Sequence, residues 1–138
     1  MKRVISILLL VMLVTLPCTA AFAQVKVGVA MPTQSLQRWN QDGSNMKKQL
    51  EAAGYVVDLQ YANNDVALQI SQLENTILGG AEILVIASID GSALGTVLEV
   101  AKEEGIPVIA YDRLIMATDA ASYYATFDNY MVGTIQGK

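Results

Sequence analysis

The run Ile83-Leu84-Val85-Ile86-Ala87 contains no polar position, and this constrains the fold more than any other feature of the chain. A strand that alternates apolar and polar residues can leave one face in water. A strand that is apolar throughout must be covered on both faces, as in a parallel sheet flanked by helices. The rest of the sequence fits that arrangement. Val25 to Met31 is rich in β-branched residues and ends at Pro32, and Tyr55 to Tyr61 is a second such run. Pro107 opens a fourth through Tyr111, and Tyr123 to Phe127 reads as a fifth.

Segments of helical period separate these runs. Leu36, Trp39, Met46, Leu50 and Ala53 recur at a three-or-four spacing, with Gly43 in the gap and Gly54 as the stop. A second stripe of Val66, Ile70, Leu73 and Ile77 follows a cap at Asn64 or Asp65 and ends at Gly79-Gly80. The third stripe, Leu94, Val97, Leu98 and Ala101, is expected to be capped by Asp90 or Ser92. Asp128 caps a last helix with Met131, Val132 and Ile135 on its apolar side. Strands and helices alternating at such short intervals specify an α/β fold built from βαβ units, with right-handed crossovers and a doubly wound parallel sheet. Because parallel strands point the same way, the loops after strands one, three and four gather at one edge. These loops hold Thr33 to Trp39, Ser88 to Ser92 and Asp112-Arg113.

The first 23 residues have a different character. Met1-Lys2-Arg3 is a basic start, Val4 to Leu16 is largely apolar, and Ala21-Phe22-Ala23 is a small-x-small cleavage pattern. These are the marks of a secretory signal peptide cut after Ala23. The apolar stretch is shorter than the roughly 20 residues a membrane-spanning helix needs. Cys18 follows Leu16-Pro17, a poor lipoprotein processing site, and is expected to leave with the signal. Residues 24–138 then hold no cysteine, and the loss of Lys2 and Arg3 from nine bases leaves seven against 13 acids, a net charge of −6. An acidic balance without a basic patch argues against a nucleic-acid partner. The chain has no histidine, so it lacks the commonest metal ligand and the commonest neutral-pH general base.

Two pairs of residues carry candidate chemistry. Asp112-Arg113 sets a carboxylate beside a guanidinium where a buried strand ends. The carboxylate can accept from two adjacent hydroxyls while the guanidinium donates to ring or hydroxyl oxygens, which suits a polyhydroxylated ligand. A surface ion pair or a helix cap would place the same residues there. Arg38-Trp39 offers an indole face for the apolar side of a pyranose and a second guanidinium. Trp39 also lies on the apolar stripe of its helix, where it would serve as a core anchor. Asp65, Asp90 and Asp128 are explained by capping, and Tyr123-Tyr124 by strand packing. No GxGxxG, GxxxxGK[ST] or His/Cys cluster is present, so no nucleotide, dinucleotide or metal cofactor is expected. A glycosidase would have to pair Asp112 with an acid that the spacing does not single out.

Taken in order, several segments resemble one group of proteins. They are Val27-Gly28-Val29-Ala30-Met31-Pro32, Arg38-Trp39, Gln72-Leu73-Glu74-Asn75, Leu84 to Gly91, Ile109-Ala110-Tyr111-Asp112-Arg113 and Tyr124 to Asn129. The group is the periplasmic sugar-binding proteins of ABC importers, especially its D-xylose and multiple-sugar branch. The resemblance implies a two-lobed, hinged type I periplasmic binding protein that closes on an aldose of the xylose, glucose, galactose or arabinose type. Such a protein delivers its sugar to the permease subunits of the importer. The resemblance further implies that Arg38, Trp39, Asp112 and Arg113 line the sugar cleft, and that residues 24–138 form an N-terminal lobe whose second lobe lies outside this sequence. A periplasmic sugar sensor docking on a chemoreceptor or sensor kinase is the alternative, and a sugar-processing enzyme the third.

Overall fold

A computed structural model describes residues 24–116 and 118–137. The signal peptide, Cys18 and the cleavage site expected above lie outside these described residues.

Five strands form one wholly parallel sheet: β1 (Lys26–Met31), β2 (Val56–Tyr61), β3 (Ile83–Ile86), β4 (Val108–Tyr111) and β5 (Ala121–Ala125). Their order across the sheet is β2-β1-β3-β4-β5. The helices are α1 (Gln37–Ala52), α2 (Val66–Leu78), α3 (Gly95–Glu103) and α4 (Asn129–Gln136). The chain steps one way from β1 to β2, then reverses past β1 to β3 and β4. Right-handed crossovers therefore put α1 on one face and α2 and α3 on the other.

The side-chain period of two divides the core between these faces. Val27, Val29 and Met31 of β1 pack with Val57, Val85, Ala87 and Trp39 of α1. Ala30, Leu84, Ile86, Val108 and Ala110 point the other way, against Leu73 and Ile77 of α2 and Leu94, Val97, Leu98 and Ala101 on the α3 side. This explains why β3 carries no polar residue. Gly43 fills the gap in the α1 stripe because a Cβ there would come 2.5 Å from the Tyr61 hydroxyl oxygen.

Asp65 and Asp128 cap α2 and α4, accepting from the Leu68 and Met131 amides at 3.0 and 2.9 Å. Three local expectations are corrected. Asp90 does not cap α3: it accepts from Ser92 N at 2.8 Å in an Asx turn, and the helix starts later, at Gly95 behind Leu94. An aspartate can bond its own backbone two residues on as readily as it can cap. Leu36 and Ala53, at the ends of the α1 stripe, are exposed. β5 begins two residues earlier than expected, and Tyr123 and Tyr124 lie largely exposed on this edge strand rather than packed. No helix among the described residues is long and apolar enough to cross a membrane.

Candidate functional site

The strand order reverses between β1 and β3, and in open α/β sheets the crevice beyond the strand C-termini at such a switch point is where ligands bind. Four polar or aromatic residues meet there. Pro32 ends β1, and a short turn in which Ser35 N donates to Thr33 Oγ1 (3.3 Å) leads into α1. The first turn of α1 carries Arg38 and Trp39 to the rim. β4 ends in a tight turn around Asp112, where Arg113 N donates to Tyr111 O at 2.6 Å and Asp112 has φ +62°. Asp and Asn tolerate that backbone region better than most residues. The turn is tied to β5: Asp112 N donates to Ala125 O at 2.7 Å, while Asp112 O accepts from Tyr124 Oη at 3.1 Å and Thr126 Oγ1 at 3.4 Å.

All four residues singled out in the sequence come together. Arg38 Nη2 donates to Asp112 Oδ1 at 2.6 Å across 74 residues of chain. The Arg38 side chain is 43 % exposed and that of Asp112 only 13 %, so the carboxylate sits in a recess with the guanidinium over its outer side. Trp39 is 2 % exposed and belongs to the core. Its ring lies beneath both guanidinium groups, with Arg38 Cζ 4.6 Å and Arg113 Cζ 5.1 Å from the ring centroid. The core-anchor reading of Trp39 therefore holds, and its ring is the floor on which two cations rest rather than an open stacking face. Arg113 Nη1 donates to the Ser88 carbonyl, at the end of β3, at 3.0 Å.

The structure adds residues the sequence did not mark. Asp42, one turn beyond Arg38, lies 3.7 Å from Arg38 Nε and accepts from Tyr111 Oη at 3.1 Å. Burial, reinforced by the Asp42 carboxylate, raises the pKa of the Tyr111 phenol above its ordinary value. Tyr111 thus stays a neutral donor, and Asp42 shares its charge between phenol and guanidinium. Phe127 is half exposed, with Arg38 Cζ 5.1 Å from its ring, and brings an aromatic face with open surface to the rim. The Asp42 contact follows the i, i+4 helical spacing and was legible in principle. The Phe127 contact depends on the path of the chain after β5 and had no local signal.

Gly91 holds the rim together. The loop beyond Asp112 crosses it so closely that a Cβ would fall 2.3 Å from the Leu114 carbonyl oxygen, and Met116 N donates to Gly91 O at 2.9 Å. Gly91→Ala is therefore expected to cost about 1–3 kcal/mol, because backbone rather than a flexible side chain must move. Chemical denaturation would measure it, and a loss under about 0.5 kcal/mol would mean that the two loops have slack.

Chemically, the rim offers the Asp112 and Asp42 carboxylates, two guanidinium groups and buried apolar flooring. Among the described residues there is no cluster of three metal-ligating side chains.

Comparison with known proteins gives this arrangement a family. Residues 27–138 match the family described as periplasmic binding protein domain. The chain is 51 % identical over 119 residues to the multiple sugar-binding periplasmic protein of Azospirillum brasilense, covering 86 % of this chain and 33 % of that protein. It is 42 % identical over 115 residues to the D-xylose-binding periplasmic protein of Escherichia coli, covering 83 % and 34 %. Among solved structures, an ABC transporter solute-binding protein from Clostridium phytofermentans with bound β-D-glucose superposes with a TM-score of 0.79 at 73 % identity, over 81 % of this chain and 35 % of that one. A carbohydrate transporter solute-binding protein from Chloroflexus aurantiacus in complex with D-glucose gives 0.76 at 38 % identity, over 83 % and 34 %. The chain spans about a third of the length of these relatives. With its parallel sheet and with 112 residues matched from 27 to 138, the chain belongs to the periplasmic binding protein domain family.

Proposed function

We propose that this chain is the N-terminal lobe of an exported aldose-binding protein that captures sugar in the periplasm for an ABC importer. The observation that carries the reading is the convergence of Arg38, Asp112 and Arg113 over Trp39 at the switch point of the sheet. Charged acceptors and donors held at fixed geometry in a partly buried recess suit vicinal hydroxyls. Relatives named for multiple sugars and D-xylose, and structures holding glucose, narrow the ligand to a monosaccharide. In this reading Arg38, Asp112 and Arg113 bond the sugar, Trp39 supports the two guanidinium groups, and a second lobe supplies the other half of the cleft. The permease is the receiving partner.

Titration of residues 24–138 with D-glucose, D-xylose, D-galactose and L-arabinose tests this. One lobe leaves half the ligand's surface in water, so weak binding or none is expected from this chain alone, with tight binding only when the second lobe is joined. Tight binding by this chain alone would overturn the two-lobe reading, and no response from any of these sugars in a protein carrying both lobes would overturn the sugar reading.

Export follows from the small residues at Ala21 and Ala23. The intact mass of periplasmic material is expected to correspond to a chain beginning at Gln24. A product that retains Cys18 or carries lipid would contradict it.

A further inference from the structure

Gln69 is the largest polar anomaly of the core. It is 0 % exposed in α2, beside the apolar stripe of Val66, Ile70 and Leu73. A buried amide is informative where an apolar residue would pack as well. Both ends of this one are used on the same piece of backbone: Nε2 donates to Ala87 O at 3.1 Å, and Oε1 accepts from Ile89 N at 2.9 Å. The residue between them is Ser88, 1 % exposed, whose carbonyl holds Arg113 Nη1 at 3.0 Å. The anchor of Arg113 is thus a neutral carbonyl on a segment leaving the strand, and the direction of that carbonyl is set by the peptides on either side of it.

We propose that Gln69 is a positioning residue for Arg113: by clamping the peptides before and after Ser88, it aims the Ser88 carbonyl and thereby fixes the guanidinium over Trp39 at the rim. The consequence for sugar rests on the reading of Arg113 as a sugar donor. The geometric claim does not. A guanidinium held in place loses less freedom on binding, so a preorganised Arg113 binds a hydroxyl more tightly than a free one.

Gln72 provides the control. It lies on the same helix and is also partly buried, and its amide donates to Tyr61 O at 3.2 Å, at the end of β2 rather than at Arg113's anchor. Nitrogen-detected NMR of the isotope-labelled chain reads the guanidinium groups directly, since one tied to a carbonyl rotates slowly and gives resolved Nη signals. In the unsubstituted chain both Arg38, held by Asp112, and Arg113 are expected to be resolved. Gln69→Met, close in size but without polar ends, should average the Arg113 signals and leave those of Arg38 resolved. Gln72→Met should leave both. Resolved Arg113 signals in a folded Gln69→Met protein would overturn the proposal, as would equal loss in Gln72→Met.

Should Gln69→Met not fold, Gln69→Glu decides. Its protonated acid can donate to Ala87 O while the other oxygen still accepts from Ile89 N, and its ionised form cannot donate. Arg113 signals should be resolved while the introduced carboxyl is protonated and be lost once it ionises. Signals indifferent to that ionisation would overturn the proposal. Adding D-glucose to a protein carrying both lobes separates the two readings: Gln69→Met is expected to need about tenfold more glucose for the same Arg113 shift. If Arg113 is freed in Gln69→Met but neither protein responds to glucose, the sugar reading fails and the positioning stands.

Discussion

Replacing Trp39 with alanine is expected to destabilise the domain by about 3–5 kcal/mol, the range for emptying a buried Trp site. The side chain is 2 % exposed and packs with Val27, Val29, Met31, Val57, Val85 and Ala87, so its removal opens a cavity on the whole α1 face of the sheet. Two guanidinium groups also lose the ring they rest on. Domains of ordinary stability hold only about 5–15 kcal/mol in total, and a loss of this size should lower Tm by about 10–20 °C. Chemical and thermal denaturation measure it. A loss under about 1 kcal/mol would show that the ring carries little of the packing. Trp39 is the only tryptophan in the chain, so its fluorescence in the native protein should respond when a ligand moves Arg38 or Arg113.

The second large effect falls on binding rather than folding. In a protein carrying both lobes, Asp112→Asn and Arg113→Ala should each weaken sugar binding by about 1.5–3 kcal/mol, the range for hydrogen bonds to charged groups, or about ten- to a hundredfold in Kd. Asparagine is the appropriate probe at position 112 because φ is +62° there and asparagine tolerates that region, so the backbone bonds to Ala125, Tyr124 and Thr126 survive. Stability should move much less. The Arg38–Asp112 pair has one partner 43 % exposed, and exposed pairs contribute about 0–1 kcal/mol. Measuring melting and sugar titration on the same variants separates ligand contact from scaffold. Unchanged affinity in both would remove Asp112 and Arg113 from the site.

The two effects differ in kind because the residues stand on different levels of the structure. Trp39 is part of the core and acts on binding only through what rests on it. Asp112 and Arg113 lie at the end of β4, where a change of charge reaches the ligand before it reaches the packing.

What the sequence determined by itself is local and periodic. The unbroken apolar run of β3 implied a sheet covered on both faces, and the stripe Leu94, Val97, Leu98 and Ala101 is buried as a set. Asp65 and Asp128 cap their helices because a cap needs only the amides two or three residues on. The gathering of the loops after strands one, three and four at one edge followed from parallel strands and short connections. Tertiary structure decided the rest, most of which depends on residues far apart in the chain. Arg38 meets Asp112 across 74 residues, and Trp39 is floor rather than stacking face because two cations from different loops settle on it. Asp90 turns its own loop instead of capping α3, a choice between two local bonds that the residue types alone do not decide. Gln69 reads in sequence as one more polar helix residue. Only the packing of α2 against the end of β3 brings both ends of its amide to the peptides that flank Ser88.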